Sequence, residues 1–176
     1  MAKHSLGKKR PAFTLVEFIL YFGLIGLVLT GVIGFALDYM RSYNKAVIIS
    51  RVEQETRFGM LRILRSVRQA AKLNVGSSTF NDDAGVLSLD AVAASNTPTI
   101  FDLSAGALRI KEGAAAAAPL TTGEVNVQKL RFSKDNLGGN NNAVTVEMTV
   151  SYMSVNPDKL LSYVVSASGT AVIRKD

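Results

Sequence analysis

The chain has 176 residues, a formal charge of +6, one histidine and no cysteine. That length suits one globular domain with one accessory element, and no internal repeat points to a solenoid. Without cysteine there are no disulfides, no thiolate catalysis and no cysteine-held metal, so an exported domain of this composition must rest on core packing.

Residues 1–12 are basic, with Lys3, Lys8, Lys9 and Arg10, and they end in Pro11-Ala12. Beyond them 16 Lys and Arg face 14 Asp and Glu, so the rest of the chain is close to neutral. The clustered charge is better explained by the positive-inside rule, which holds Lys and Arg in the cytoplasm and sends the following chain outward.

Residues 13–37 are apolar, and the stretch 18–37 is twenty consecutive residues without a charge. A helix rising 1.5 Å per residue carries such a run about 30 Å, the thickness of a bilayer's hydrocarbon core. The stretch is a membrane span or a helix bound for equally apolar surroundings. Gly26, Thr30 and Gly34 recur at four-residue spacing, with Gly23, Leu27 and Gly31 as a partial second row. Small residues so spaced let helices approach closely, although glycine is also common in membrane helices generally.

From about 38 to 73 the chain is rich in helix formers and charges and has no proline. Met60, Ile63, Leu64, Val67, Ala70 and Ala71 share one face of a 3.6-residue period, and Arg57, Arg62, Arg65, Arg68 and Lys72 take much of the other. Nothing from 18 to 73 forces a stop, since Gly59 costs only about 1 kcal/mol in a helix interior. A single helix over 13–73 is predicted, about 90 Å long. It would end at Asn74-Val75-Gly76, with glycine as its cap.

The remainder, 74–176, turns to short β-branched runs. Strands are predicted at 85–90, 98–103, 107–111, 125–133, 143–153, 160–167 and 170–174. Val144, Val146, Met148 and Val150 alternate with Thr145, Glu147, Thr149 and Ser151, a period of two with one buried face. Turn signals at 138–142 and 156–158 join them into an antiparallel meander. The alanine run 114–118 reads as a loop. The predicted class is α+β: a long N-terminal helix, its first half transmembrane, packed on a C-terminal antiparallel β-sheet head.

The junction reads Lys8-Lys9-Arg10-Pro11-Ala12-Phe13-Thr14-Leu15-Val16-Glu17 and leads straight into the apolar run. An ordinary secretory signal carries its cleavage site after the apolar stretch. Here the small residue comes before it, so cleavage would leave the anchor on the mature protein. This junction resembles the class III signal of type IV prepilins. The resemblance implies a pilin fold, removal of leader 1–12 by a prepilin peptidase between Ala12 and Phe13, and N-methylation of Phe13. It gives Glu17 the role of meeting a neighbouring subunit's positive N-terminus during assembly. A carboxylate costs about 2–3 kcal/mol when moved towards the bilayer centre, which agrees with a need for a partner. Two departures stand out: Ala12 replaces the usual glycine, and Gly34 lies where many pilins carry a kinking proline. The plainer alternative is a chance string opening an ordinary signal anchor, with Glu17 as an interfacial carboxylate.

Further along, 61–70 looks like the helix end of minor pilins and J-type pseudopilins, where Arg-Gln-Ala is frequent. Several pieces of the head look like W-type minor pilins. The resemblance therefore implies a minor or accessory pilin of a type IV pilus-like filament. A pseudopilin of a type II secretion or competence (DNA-uptake) system is the alternative. A third reading, of another class, is an unprocessed single-pass membrane binding protein. Implied partners are the prepilin peptidase, other pilin subunits through the N-terminal helix, the membrane before assembly, and an assembly platform protein and ATPase. The ATPase is separate because the chain has no GxxxxGK[ST] phosphate loop. The implied location is the inner membrane, crossed once with the N-terminus in the cytoplasm, and then an extracellular filament or periplasmic pseudopilus.

An enzyme is not expected. His4, the one histidine, lies in the leader, so the usual nucleophile–base pairs and imidazole metal sites cannot be assembled. No cofactor is expected. Asn81-Asp82-Asp83 offers oxygens to a cation but lacks EF-hand spacing and reads better as a solvated turn. The basic face from Arg57 to Lys72 offers DNA only a non-specific footprint, and Phe58 is the single aromatic interleaved there.

Overall fold

The computed structural model describes residues 14–136, 142–153 and 162–173. The chain divides into two compact units, Met1–Asn44 and Lys45–Asp176. One helix, α1 (Leu15–Arg68, 54 residues), supplies the described part of the first unit and the opening of the second. The fold class is α+β, as expected: a long apolar N-terminal helix followed by antiparallel sheets.

In the first unit α1 is bare. Leu15, Phe22, Leu27 and Phe35 keep between 65% and 76% of their surface exposed. The helix is long and apolar enough to cross a membrane. In the second unit Ile48, Val52, Thr56, Gly59, Met60, Ile63, Leu64 and Val67 form a buried stripe at helical spacing. Ala70 is also buried, but Ala71 is exposed.

The helix stops at Arg68, five residues before the expected end, and Ala70–Leu73 forms strand β1. Ala70 and Leu73 are both buried, and their i, i+3 spacing fits a helix face equally well. Pairing with the next strand decides the matter: Leu73 lies opposite Leu89 and Lys72 opposite Asp90, with an irregularity between Ala70 and Lys72. Gly76 therefore caps nothing; it belongs to a short 3-10 turn, Val75–Ser77.

Strands β1 to β5 form one antiparallel sheet in sequence order: β2 (Leu87–Ala91), β3 (Thr99–Ser104), β4 (Ala107–Glu112) and β5 (Ala118–Pro119) follow β1. Ala105 and Gly106 link β3 to β4 with φ of 51° and 75°, the left-handed pair that a two-residue hairpin needs. The alanine run is a loop up to Ala118, which pairs with Ile110. A second meander holds β6 (Val125–Asn136), β7 (Asn142–Tyr152) and β8 (Val164–Ile173). Among the described residues the head thus carries two sheets rather than one. The turn signals at 138–142 and 156–158 lie, apart from Asn142, outside the described residues, as does residue 174.

The alternation read in β7 is present: Val144, Val146, Met148 and Val150 are fully buried. Two predicted strands, 160–167 and 170–174, are one strand through Gly169. That glycine lies opposite Val146, and a Cβ there would come within 2.8 Å of Leu64 Cδ1. Its bareness serves close approach to α1 rather than a turn. Gly59 does the same on the helix, where a Cβ would meet Leu108 Cδ2 of β4 at 2.9 Å and Met148 Cε of β7 at 3.4 Å. One glycine thus lets α1 touch both sheets.

Candidate functional site

Ala12 and Phe13, the residues flanking the expected cut, lie outside the described residues. The first described residue, Thr14, caps the helix. Its Oγ1 accepts the backbone N–H of Glu17 at 3.3 Å, and its carbonyl accepts Phe18 N–H at 3.2 Å. Thr14-Leu15-Val16-Glu17 is therefore an S/T-x-x-E capping sequence with its threonine half formed. Spacing alone reveals this pattern, a role for the junction beyond the assembly contact and the interfacial carboxylate expected of Glu17. A carboxylate in the first turn also meets the positive end of the helix dipole. Glu17 is partly shielded, whereas its neighbours Val16 and Phe18 are exposed at 66% and 58%.

Gly26, Thr30 and Gly34 follow on the same helix. Thr30 Oγ1 donates to the Gly26 carbonyl at 2.8 Å, so its hydroxyl is satisfied within the helix. Such internal satisfaction is what an apolar surrounding demands of a polar side chain. A Cβ on Gly23, Gly26, Gly31 or Gly34 would meet nothing within 4 Å. Glu17 does not join this row. At about 100° per residue the nine positions from Glu17 to Gly26 place them half a turn apart. Gly31 and Tyr21 lie nearer Glu17's side. The residues expected to assemble thus spread around the helix rather than forming a single site: Gly26 lies opposite Glu17, and Gly34 about 100° from it.

In the head, the loop considered for a cation is latched to β6. Asp83 accepts from Arg131 Nη2 at 2.7 Å and Nε at 3.0 Å, with Lys129 Nζ at 3.9 Å. Asp82 Oδ1 accepts Ala84 N–H at 2.9 Å, and Asn81 Oδ1 accepts Ser133 Oγ at 3.3 Å. One side-chain oxygen of each of the three residues is thus taken up by a neighbour. On the basic face, Arg62 pairs with Glu112 at 2.7 Å, which interrupts the positive row.

Other polar links tie α1 to the rest of its unit. Arg51 pairs with Glu124, which raises the guanidinium pKa through the hydrogen bond and the opposing charge. Tyr163 donates to Glu53 Oε1 at 3.1 Å; this bond first, then burial and the carboxylate's charge, raise the phenol above its ordinary value. Away from α1, Arg109 of β4 holds its cross-strand partner Asp102 of β3 with two bonds, at 2.8 and 2.7 Å, and is likewise shifted upward. These contacts fasten the fold and leave the functional weight on the uncovered half of α1. Compared with protein-family models, with curated proteins and with solved structures, the chain matches none.

Proposed function

We propose that this chain is a structural subunit, of the minor or accessory kind, of a type IV pilus-like filament. The observation that carries the reading is the apolar, uncovered N-terminal half of α1, which opens on a capped Thr14-x-x-Glu17 turn and follows a basic segment. Each large apolar side chain left in water forgoes about 1.5–3 kcal/mol, so this stretch requires a surrounding of lipid or of other apolar helices. In the proposed cycle the helix is held first in the inner membrane and then among the helices of sister subunits. The prepilin peptidase cuts after Ala12 and methylates Phe13. The new positive N-terminus of one subunit meets Glu17 of another. A pseudopilin of a secretion or DNA-uptake system is the second reading, favoured by the resemblance of 61–70, within which the helix ends at Arg68.

Glu17→Ala tests the assembly role. The variant would leave the neighbouring subunit's positive N-terminus among apolar helices without a partner, at a cost of about 2–3 kcal/mol. At 1.4 kcal/mol per tenfold, incorporation of the variant into filaments should fall well over tenfold. The variant should still lose its leader and remain in the membrane fraction. Equal incorporation of variant and wild type would contradict the reading.

A further inference from the structure

Among the described residues four strands end the two sheets of the head, and three of those edges are closed. β1 has four residues and an irregular register. β5 has two, the second of them Pro119. β6 is bulged between Val127 and Lys129, and other chain segments cover it. Asn81 N–H donates to Phe132 O, Gly85 N–H to Leu130 O, Leu130 N–H to Asp83 O and Val127 N–H to Gly106 O, each at 2.8 Å. Short edges, proline, bulges and covering loops are the usual ways to stop unwanted strand pairing.

Among the described residues β8 has none of these. It runs ten residues, keeps register with β7 from Val164 to Ile173 without a shift, and holds neither proline nor a charged residue. Among the described residues nothing pairs with its outer edge. Tyr152 N–H donates to Tyr163 O, which marks a hydrogen-bonded pair. Alternation along an antiparallel ladder then turns the N–H and C=O groups of Val164, Ser166, Ser168 and Thr170 outward. Beyond Thr170 the strand closes down, with Ala171 and Ile173 buried at 3% each.

Beside this edge lies a groove of about 400 Å3 between β8 and α1, where Leu61, Val165 and Ala167 give an apolar wall. Glu53 at its rim is engaged by Tyr163, while Arg57 is exposed and has no carboxylate partner among the described residues. A row of main-chain donors and acceptors is complemented by another extended strand. The apolar wall and the unpaired cation add a side-chain preference.

We infer that the β8 edge docks an extended segment of another polypeptide as a fourth strand of this sheet. Alternate apolar side chains of that segment fill the groove against Leu61 and Val165, and a carboxylate meets Arg57. This surface stands whether or not the chain enters a filament.

The test uses the full chain in phospholipid nanodiscs and a synthetic ten-residue peptide of alternating threonine and valine that ends in glutamate. Hydrogen exchange should find the amides of Ser166, Ser168 and Thr170 open in the free protein. Saturating peptide should slow them at least about tenfold, as capture into a ladder does. Ser168→Pro removes an outward N–H without touching the β7 ladder; it should abolish peptide protection while the β7 amides stay slow. Arg57→Gln should weaken the glutamate peptide and leave its glutamine version unchanged. The inference is overturned if those amides are already slow in the free protein, or if millimolar peptide protects nothing. Protection that rises with protein concentration alone would give the edge to a second copy and equally overturn the assignment.

Discussion

An ideal Cβ at Gly85 would sit 2.9 Å from both the Leu130 carbonyl oxygen and Phe132 Cδ2, and 3.2 Å from Thr79 O. Backbone atoms cannot yield as a side-chain tip can. Gly85→Ala should therefore destabilise the head by about 1–3 kcal/mol in urea unfolding, through overpacking. Gly123→Ala, with nothing within 4 Å, is the control and should stay within about 0.5 kcal/mol. Tyr163 makes a pH-dependent contribution whose sign follows from its raised pKa. The folded state holds the phenol proton more tightly. The stabilisation is therefore complete below the ordinary value near 10 and fades as pH rises through the higher folded value. Tyr163→Phe should remove that alkaline component, measured as the difference in urea midpoint between wild type and variant from about pH 9 to about pH 11. At the other end of α1, Thr14→Ala deletes a cap worth about 1 kcal/mol. It should speed amide exchange at Glu17, while Thr14→Ser preserves it.

At the scale of elements, packing outweighs charge in holding α1 to the sheets. Arg62 and Glu112 are 39% and 37% exposed, so their pair contributes about 0–1 kcal/mol. Ile63 beside it is fully buried, and Ile63→Ala should cost about 2–5 kcal/mol. Both are read from the same unfolding curves, and a larger loss at Arg62→Ala would invert this ranking. Periodicity made the helix legible because one stripe, Met60 to Val67, is packed and the opposite face is charged. It overran at Ala70–Leu73 because i, i+3 spacing serves a bulged strand as well as a helix. The β7 alternation was legible for the same reason: one face is dry. The break predicted between 167 and 170 is filled by Gly169, whose close approach to Leu64 has no signature in the sequence. β1 and β5 were not legible at all, since two to four residues carry no period and take their state from their partners. Of the candidate site, the motif residues and the apolar run could be read directly. That Gly26 lies opposite Glu17, and that Thr14-x-x-Glu17 has capping spacing, needed only the sequence, but the hydrogen bonds of the cap and of the Thr30 hydroxyl needed coordinates.

At the scale of the whole molecule, one helix serves two units with different demands. The buried core lies entirely from Ile48 onward, and among the described residues no buried side-chain nitrogen or oxygen lacks a hydrogen-bond partner. A chain beginning at Lys45 should therefore unfold cooperatively in plain buffer, checked by circular dichroism against urea. A gradual loss of signal would show that the second unit depends on the first. The proposed subunit role rests on what happens before that core, at the junction of Ala12 and Phe13. Intact-mass analysis of the protein extracted from membranes, with and without a prepilin peptidase in the same cells, addresses it directly. The expected product with the peptidase begins at Phe13 and carries one added methyl group, and without it the mass still includes the basic segment that ends at Ala12. A mass that still includes residues 1–12 when the peptidase is active would contradict the proposal.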